Sequence, residues 1–140
     1  MSSVNILDAS AVLAYLNEER GEDVVEAALD AADSWITSVN YCEVLSKLCD
    51  KGMSEQEASK ALDEVGLTVV DFDRELAVRA AALRPRTKGI GASLGDRACF
   101  ALAERCISTQ LAAVVYTADQ AWTSIRWPFK VIVIRTGRSA

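Results

Sequence analysis

Strand-like and helix-like segments alternate along this chain from one end to the other. Short segments rich in apolar and β-branched residues predict strands at residues 4–7, 35–39, 67–72, 112–117 and 131–134. Apolar residues at helical spacing predict helices at residues 9–17, 22–32, 41–51, 54–65, from Asp73 onward, and 94–107. This alternation predicts an α/β fold, a parallel sheet with helices on both faces. The continuous apolar runs AAVVY and VIVI suit strands that are buried on both sides.

The length and composition of the chain are typical of a single globular domain. The chain has 140 residues, 51% of them hydrophobic and 25% charged, which is enough apolar material for a full core. We therefore expect one domain over residues 1–140. Within it, the segment RPRTKGIGAS at residues 84–93 combines proline, glycine and basic residues and predicts a loop.

The sequence favours a cytoplasmic protein. No apolar run approaches the roughly 20 residues that span a bilayer. The N-terminal segment MSSVNILD lacks the basic and then long apolar regions of a secretory signal. The net charge of −5 argues against a generally basic nucleic-acid-binding protein, although a local basic patch is compatible with it.

The chain has no histidine and has four cysteines, Cys42, Cys49, Cys99 and Cys106. The missing histidines exclude a mixed cysteine–histidine zinc site and every mechanism that uses a histidine base, including the Ser-His-Asp triad. A four-cysteine zinc site would need a different spacing, because the cysteines form two pairs seven residues apart and no CxxC occurs. We expect all four to be small buried apolar residues in a reducing compartment.

Four acidic residues fall near strand ends or helix starts, on what should be one edge of the sheet. Asp8 follows the first strand and Asp119 the fourth. Glu43 lies in the first turn after the second strand, and Asp96 lies in the first turn of the helix before the fourth strand. Because the carboxyl ends of parallel strands share one edge, where ligands bind, we expect the four carboxylates to lie near one another.

Each acid also has a simpler explanation as a helix cap. Asp8 and Asp119 suit N-caps, and acids favour helix N-termini through the helix dipole. Three pairs have the spacing of a capping box: Asn40…Glu43, Ser93…Asp96 and Ser54…Glu57. The last pair follows no strand and has no expected function, so capping alone can produce the pattern.

As a group, the acids are harder to explain as caps. Asp96 lies on an apolar stripe with Cys99, Phe100, Ala103 and Ile107, so its carboxylate should be partly buried, where an unpaired charge is costly. Neighbouring carboxylates raise one another's pKa unless a cation lies among them. Oxygen ligands suit Mg²⁺ or Mn²⁺, and such an ion can activate water towards a phosphoryl group without any histidine.

In this order and at these separations, the segments DASA, NYCE, SLGDRACFALA and YTAD resemble the PIN-domain ribonucleases, most closely the VapC-type toxins of toxin–antitoxin pairs. The resemblance covers nearly the whole chain. It implies a three-layer α/β/α PIN-like fold with a central parallel sheet. It also implies a cognate VapB-like antitoxin that reaches into the acidic site, and a homodimer.

The resemblance further implies an activity and its residues. Asp8, Asp96 and Asp119 would hold one or two Mg²⁺ or Mn²⁺ ions, and Glu43 would complete the coordination shell or orient the attacking water. Water activated by the metal would then hydrolyse phosphodiester bonds in RNA, which makes the chain a metal-dependent endoribonuclease of a type II toxin–antitoxin system.

Hydroxyl and basic residues accompany these acids. Ser10 and Thr117 fall where such proteins place hydroxyls that support the acids, although a local turn or cap role explains both equally well. RNA binding by an acidic protein needs local positive charge. Four basic residues before and beside Asp96 either bind phosphate or form a solvated loop: Arg84, Arg86, Lys88 and Arg97.

Other polar and aromatic residues at strand ends have structural explanations. Asp71 and Asp73 also end a strand, but the implied fold puts that strand at the sheet edge, so we expect Asp73 to cap a helix and Asp71 to be exposed. Trp122, Trp127 and Phe129 could stack on bases, but packing in the core or an interface is the preferred interpretation.

Two other functions stay open. A phosphatase or phospho-acceptor domain would use Asp8 as nucleophile, but Ser10 stands where a second acid is needed and Lys130 precedes its strand rather than following it. A catalytically inactive PIN-like interaction module would keep the fold, although the presence of all four acids argues against it. Nucleotide-binding glycine motifs are absent from the sequence.

Overall fold

A computed structural model of the chain describes residues 2–135, and in this part five strands form one parallel sheet. The strands are β1 (Ser3–Leu7), β2 (Ser34–Thr37), β3 (Thr68–Val70), β4 (Ala112–Thr117) and β5 (Lys130–Val133). Their order across the sheet is β3-β2-β1-β4-β5. The predicted α/β fold is confirmed, and the strands that precede Asp8 and Asp119 lie side by side in the centre.

Helices cover both faces of this sheet, giving three layers. They are α1 (Ala9–Leu16), α2 (Glu22–Ala31), α3 (Ser38–Asp50), α4 (Glu55–Asp63), α5 (Arg74–Ala82), α6 (Arg84–Thr87) and α7 (Leu94–Ser108). Successive side chains of a strand point to opposite faces. Accordingly Leu7 packs with α1 to α4, whereas its neighbour Ile6 packs with α5 and α7.

Helix α7 is buried through most of its length. Six consecutive residues, Ala98 to Ala103, are buried, which confirms the prediction from its nearly all-round apolar surface. The Phe100 ring stacks on Trp127 at 4.3 Å between centroids and meets Trp122 edge-on at 4.4 Å. Trp127 in turn stacks on Phe129. The aromatic residues after β4 therefore pack in the core, which is the interpretation preferred from the sequence.

The boundary between β2 and α3 lies earlier than predicted. The helix begins at Ser38 rather than at residue 41, because the side chain of Thr37 accepts a hydrogen bond from the backbone N–H of Asn40 at 3.0 Å and caps it. Asn40 is therefore inside the first turn and is not an N-cap, so the proposed Asn40…Glu43 capping box is wrong. The β-branched Val39 made this first turn look like a strand.

The segment 84–93, predicted as a loop, also contains helical structure. It holds α6 and a 3₁₀ helix at Lys88–Ile90, which Gly91 ends with a positive φ of 64°. Pro85 lies in the first turn of α6, where a backbone N–H has no partner within the helix. The N–H that proline lacks therefore costs the helix no hydrogen bond. Proline and glycine here mark the start and the end of helical turns rather than a loop.

The burial of the cysteines was predicted correctly for only one pair. Cys99 and Cys106 are buried in α7, but Cys42 and Cys49 are exposed. Both pairs share a stripe of their helix, but on α3 the inward stripe is occupied by Val44 and Leu48.

At the sheet edge, the expectations for β3 are confirmed. Asp73 caps α5 by accepting the backbone N–H of Leu76 at 2.9 Å, and Asp71 is exposed. Separately, none of the helices within residues 2–135 has the length and apolar character needed to cross a bilayer.

Candidate active site

Asp8 lies where β1 ends and α1 begins, and it performs two tasks there. Its carboxylate caps α1 through a 2.8 Å hydrogen bond from the backbone N–H of Ala11 to Oδ1. The side chain is nevertheless buried, with the residue 5% exposed, because the neighbouring strand β4 extends past it. A cap on a surface helix has no need of such burial, so capping accounts for only part of this arrangement.

Two hydroxyl groups hold the Asp8 carboxylate from the adjacent elements. Ser10 Oγ donates to Oδ1 at 2.7 Å and Thr117 Oγ1 donates to Oδ2 at 2.6 Å. Each hydroxyl also accepts a backbone N–H at the end of β4, Ser10 from Ala118 at 2.9 Å and Thr117 from Asp119 at 3.1 Å. The start of α1 and the end of β4 are therefore tied together through Asp8.

The burial of Asp8 makes its negative charge costly. Loss of solvation raises the pKa of its carboxyl from 3.8 to about 6, although the hydrogen bonds from Thr117, Ala11 and Ser10 oppose the shift. The charge of Asp96 adds to the increase. Asp8 is thus a poorly solvated carboxylate whose ionised form a neighbouring cation would stabilise.

Asp96 lies in the first turn of α7, in the predicted capping box. Its backbone N–H donates to Ser93 Oγ at 3.1 Å, and its Oδ2 accepts the backbone N–H of Ser93 at 3.0 Å. Burial raises the pKa of the carboxyl, the hydrogen bonds with Ser93 lower it, and the charge of Asp119 raises it again. The expected partial burial of Asp96 is confirmed.

Glu43 is positioned from α3 by a buried asparagine. Asn40 donates from Nδ2 to Glu43 Oε1 at 2.8 Å and to the backbone carbonyl of Gly95 at 3.1 Å, while its Oδ1 accepts Thr37 Oγ1 at 2.7 Å. A Cβ built on Gly95 would lie 2.6 Å from Glu43 Cδ, so a larger residue at this position would displace the Glu43 carboxylate from where it lies. Asn40 and Gly95 together link α3 to the first turn of α7.

Asp119 follows β4 and is more open to solvent. Its Oδ1 accepts the backbone N–H of Ala121 at 2.9 Å and caps a 3₁₀ helix at Gln120–Ser124, as predicted. Its own backbone N–H is bound by Thr117. Asp119 is thus an exposed acid, whereas Asp8 is a buried one.

All four acids line one cleft of about 260 Å³ at the carboxyl edge of the sheet. The remaining lining residues are Ala9, Ser10, Leu13, Asn40 and Lys47. The acids also act together on the buried thiol of Cys99, since burial and the charges of Asp8, Asp96 and Glu43 raise its pKa. The expected convergence is thus present, and among residues 2–135 the cleft is also bordered by the cation Lys47.

The donor chemistry of this cleft fits Mg²⁺ or Mn²⁺, which prefer carboxylate oxygen and water ligands. As the side chains stand, however, no three histidine, cysteine or acidic residues within residues 2–135 are arranged to hold one ion. A shared ion would therefore require some of the carboxylates to rotate, although all four residues already line one cleft.

The residues predicted to bind RNA lie outside this cleft lining. Arg86 pairs with Glu104 at 3.4 Å and lies 4.8 Å from the centre of the Trp127 ring. Arg97 donates to the backbone carbonyl of Ala80 at 3.0 Å. Arg84 and Lys88 are exposed, and the RNA-binding role of the group stays a prediction.

Sequence reasoning did not identify Asn40, Gly95 or Lys47 as functional candidates. Asn40 and Lys47 lie three residues before and four residues after Glu43, on the same side of α3, so helical spacing from a candidate acid could have found them. Gly95 directly precedes Asp96, but its role depends on the approach of α3 and has no local signal.

Comparisons with known proteins show the family of this chain. The family model of the PIN domain matches residues 6–127. A comparison with curated proteins found no match.

Among solved structures, the chain is similar to VapBC2 from Rickettsia felis bound to a promoter DNA fragment, with 17% identity, a TM-score of 0.65, and coverage of 92% of this chain and 97% of that one. It is also similar to a toxin–antitoxin complex from Klebsiella pneumoniae, with 19% identity, a TM-score of 0.61, and coverage of 90% and 98%. FitAcB from Neisseria gonorrhoeae matches with 18% identity, a TM-score of 0.61, and coverage of 91% and 95%. At these identities the similarity concerns the fold, whereas the family model matches most of the sequence itself: the chain belongs to the PIN domain family.

Proposed function

We propose that this protein is a Mg²⁺- or Mn²⁺-dependent endoribonuclease and the toxin of a VapBC-like toxin–antitoxin pair. The observation that carries the proposal is the convergence of Asp8, Glu43, Asp96 and Asp119 on one cleft from four different elements. One of these carboxylates is buried and poorly solvated. Helix capping explains the positions of Asp8, Asp96 and Asp119, but it explains neither the position of Glu43 nor why the four acids meet.

The toxin role is supported by the similar structures. The Klebsiella pneumoniae structure is a toxin–antitoxin complex, and the Rickettsia felis structure bears the name VapBC2. We propose a VapB-like antitoxin as the partner of this chain, RNA as its substrate, the cytoplasm as its location and a homodimer as its assembly.

Each acid has a distinct role in this proposal. A bound ion would supply Lewis-acid stabilisation of the phosphoryl group and a water of lowered pKa. Asp8, fixed by Ser10 and Thr117, would be the rigid ligand, and Asp96 and Asp119 would be the adjustable ones. Glu43, held by Asn40, would complete the shell or accept a hydrogen bond from the attacking water.

The geometry gives no support to Asp8 as a phosphatase nucleophile. Both of its oxygens accept hydrogen bonds, and the side chain is buried beneath the hydroxyls of Ser10 and Thr117. Such a domain would also need a second acid close after Asp8, and Ser10, whose hydroxyl donates to Oδ1, stands there instead.

The test is cleavage of total RNA and transfer RNA by protein freed of any antitoxin. Reactions would contain Mg²⁺, Mn²⁺ or EDTA, with Asp8→Asn and Asp96→Asn as variants and circular dichroism as the check of folding. We expect cleavage that needs both the metal and the acids, with rate losses of roughly 100-fold or more for either variant.

The opposite result would favour an inactive interaction module. Such a protein would cut none of the RNAs while folded and metal-loaded, and it would tolerate both substitutions. Metal binding by the wild type, measured by calorimetry against Asp8→Asn, would show whether the acids bind an ion even when no substrate is cut.

A further inference from the structure

Three cavities meet at Lys47, on the outer side of the acidic cleft. Lys47 lines the acidic cleft itself, a groove of about 650 Å³ on one side, and a second cleft of about 260 Å³ on the other. The acidic cleft and the second cleft also share Ser10 and Leu13, so they form a continuous depression.

This second cleft is lined by positive charge. Lys47, Lys51 and Arg135 border it, with Glu19 as its one acid. Glu43 and Lys47 lie on α3 and Lys51 is its C-cap residue. Each follows the one before by four residues, so they follow one face of the helix at intervals of about 6 Å along the axis. The face therefore runs from the acidic site into the basic cleft.

The two lysines are available to bind a ligand. Both residues are exposed, and the ion pairs found within residues 2–135 involve Arg86, Arg105 and Arg135 but neither lysine. Arg135 is less available, because it donates to the carbonyl of Arg20 at 3.1 Å and pairs with Glu19 at 3.7 Å.

Negative charges near these lysines come from the four acids of the acidic cleft and from Asp50 in the large groove. None of these five acids lines the second cleft, whose acid, Glu19, is paired with Arg135. A polyanion that approached the site would therefore meet repulsion from the acids and the large groove, and attraction on the side of Lys47 and Lys51.

We propose that Lys47 and Lys51 form a phosphate-binding track that carries the backbone of single-stranded RNA into the acidic cleft. The inference rests on the proposed function and assigns the RNA path to the face of α3 rather than to the segment at residues 84–97. Contacts with phosphates supply affinity without base specificity, so the track orients the strand and does not select its sequence.

The experiment measures binding separately from cleavage. A fluorescein-labelled single-stranded RNA 12-mer of mixed sequence would be titrated by fluorescence anisotropy in EDTA, over a range of KCl concentrations. The proteins would be the wild type, Lys47→Gln/Lys51→Gln, the charge-preserving Lys47→Arg/Lys51→Arg, and Arg84→Gln/Lys88→Gln as a control that removes the same charge from the other basic segment.

For Lys47→Gln/Lys51→Gln we expect roughly 10-fold weaker binding and a log–log salt slope smaller by about 1.4, that is ~0.7 for each lost phosphate contact. The arginine variant and the Arg84→Gln/Lys88→Gln control should bind like the wild type. The substituted lysines are exposed, so the thermal melting of all variants should match.

Equal binding by Lys47→Gln/Lys51→Gln and the wild type would overturn the track, as would a wild type with no affinity for the RNA. If only the Arg84→Gln/Lys88→Gln control lost affinity for the RNA, the RNA path would lie on that segment. This result would also overturn the track of Lys47 and Lys51. Metal-dependent cleavage by the wild type, measured in parallel, tests the proposed function by itself, so a failed track leaves the nuclease proposal standing.

Discussion

The residue with the most unusual environment is Asp8, a carboxylate buried between two hydroxyls and a helix N-terminus. Its pKa is raised to about 6 mainly by burial, so the folded protein holds this proton over a pH range where the unfolded chain has released it. Folding stability from this group is therefore present at low pH and is lost as the pH rises from about 4 to about 6.

We predict that Asp8→Asn removes this dependence in metal-free protein. A shift of the pKa from 3.8 to about 6 corresponds to about 3 kcal/mol. Between pH 4 and pH 7, the free energy of unfolding of the variant should therefore rise relative to that of the wild type by up to that amount. Thermal unfolding in EDTA at several pH values measures the difference. If the two proteins differed in stability by the same amount at every pH in this range, the result would contradict a buried Asp8 that binds a proton in the folded state.

Gly95 is the second residue whose role follows from its immediate contacts. We predict that Gly95→Ala lowers nuclease activity by roughly 10-fold or more, because the new methyl group displaces the Glu43 carboxylate from its position beside Asn40. Cleavage kinetics measure the effect. Gly89→Ala is the control, since a Cβ at Gly89 meets no atom within 4 Å and should leave activity unchanged.

At the scale of elements, the site depends on how helices begin. Asp8 caps α1, Asp96 belongs to the capping box of α7 and Asp119 caps a 3₁₀ helix, so each of these three acids accepts a backbone hydrogen bond where a helix starts. Capping and a metal-binding role are therefore compatible. A cap fixes one carboxylate oxygen and the direction of the side chain, and it leaves the second oxygen for other contacts.

A pair of matched substitutions separates the two roles. Ser93→Ala and Ser54→Ala each break a capping box and should each lower the free energy of unfolding by about 1 kcal/mol, seen as a similar fall in melting temperature. We expect only Ser93→Ala to reduce RNA cleavage, because its box holds Asp96, whereas that of Ser54 holds Glu57. Equal activities would mean that the α7 cap does not position the site.

At the scale of the molecule, the sheet order brings the acids together. β1 and β4 are adjacent although more than 100 residues separate Asp8 from Thr117, whose side chains meet at 2.6 Å. β3 lies at the edge, so Asp71 and Asp73 remain outside the site despite also following a strand. Which acids reach the cleft is therefore decided by strand order, and folding creates the site as a unit.

Because the cleft exists only in the folded chain, an ion bound there should stabilise the whole molecule. We predict that Mn²⁺ at about 100 times its dissociation constant adds ~2.7 kcal/mol to the free energy of unfolding of the wild type. The doubly substituted Asp8→Asn/Asp96→Asn protein should show no such gain. Differential scanning calorimetry measures both, and an equal gain in the variant would place the ion elsewhere.

Local patterns in the sequence were sufficient for the strands, most helices, the caps at Ser54 and Ser93, and the four acids as a group. These features depend on residues a few positions apart, and period, capping and turn chemistry act over that distance. The failures were also local in origin. Val39 resembles a strand residue but lies in the first turn of α3, and Cys42 and Cys49 have a helical spacing that does not reveal which stripe faces the core.

The sequence by itself determined the alternation of elements, the chemistry available and the acids that end strands. Only the tertiary structure decided that Asn40 and Gly95 hold Glu43, that Arg86 and Arg97 turn to other partners, and that Lys47 borders the cleft. The physical reason is distance: these contacts join α7 to α3, to α5 or to α6, and their partners lie between 17 and 55 residues apart in the chain. Side-chain spacing within one element carries no information about which face of another element will pack against it.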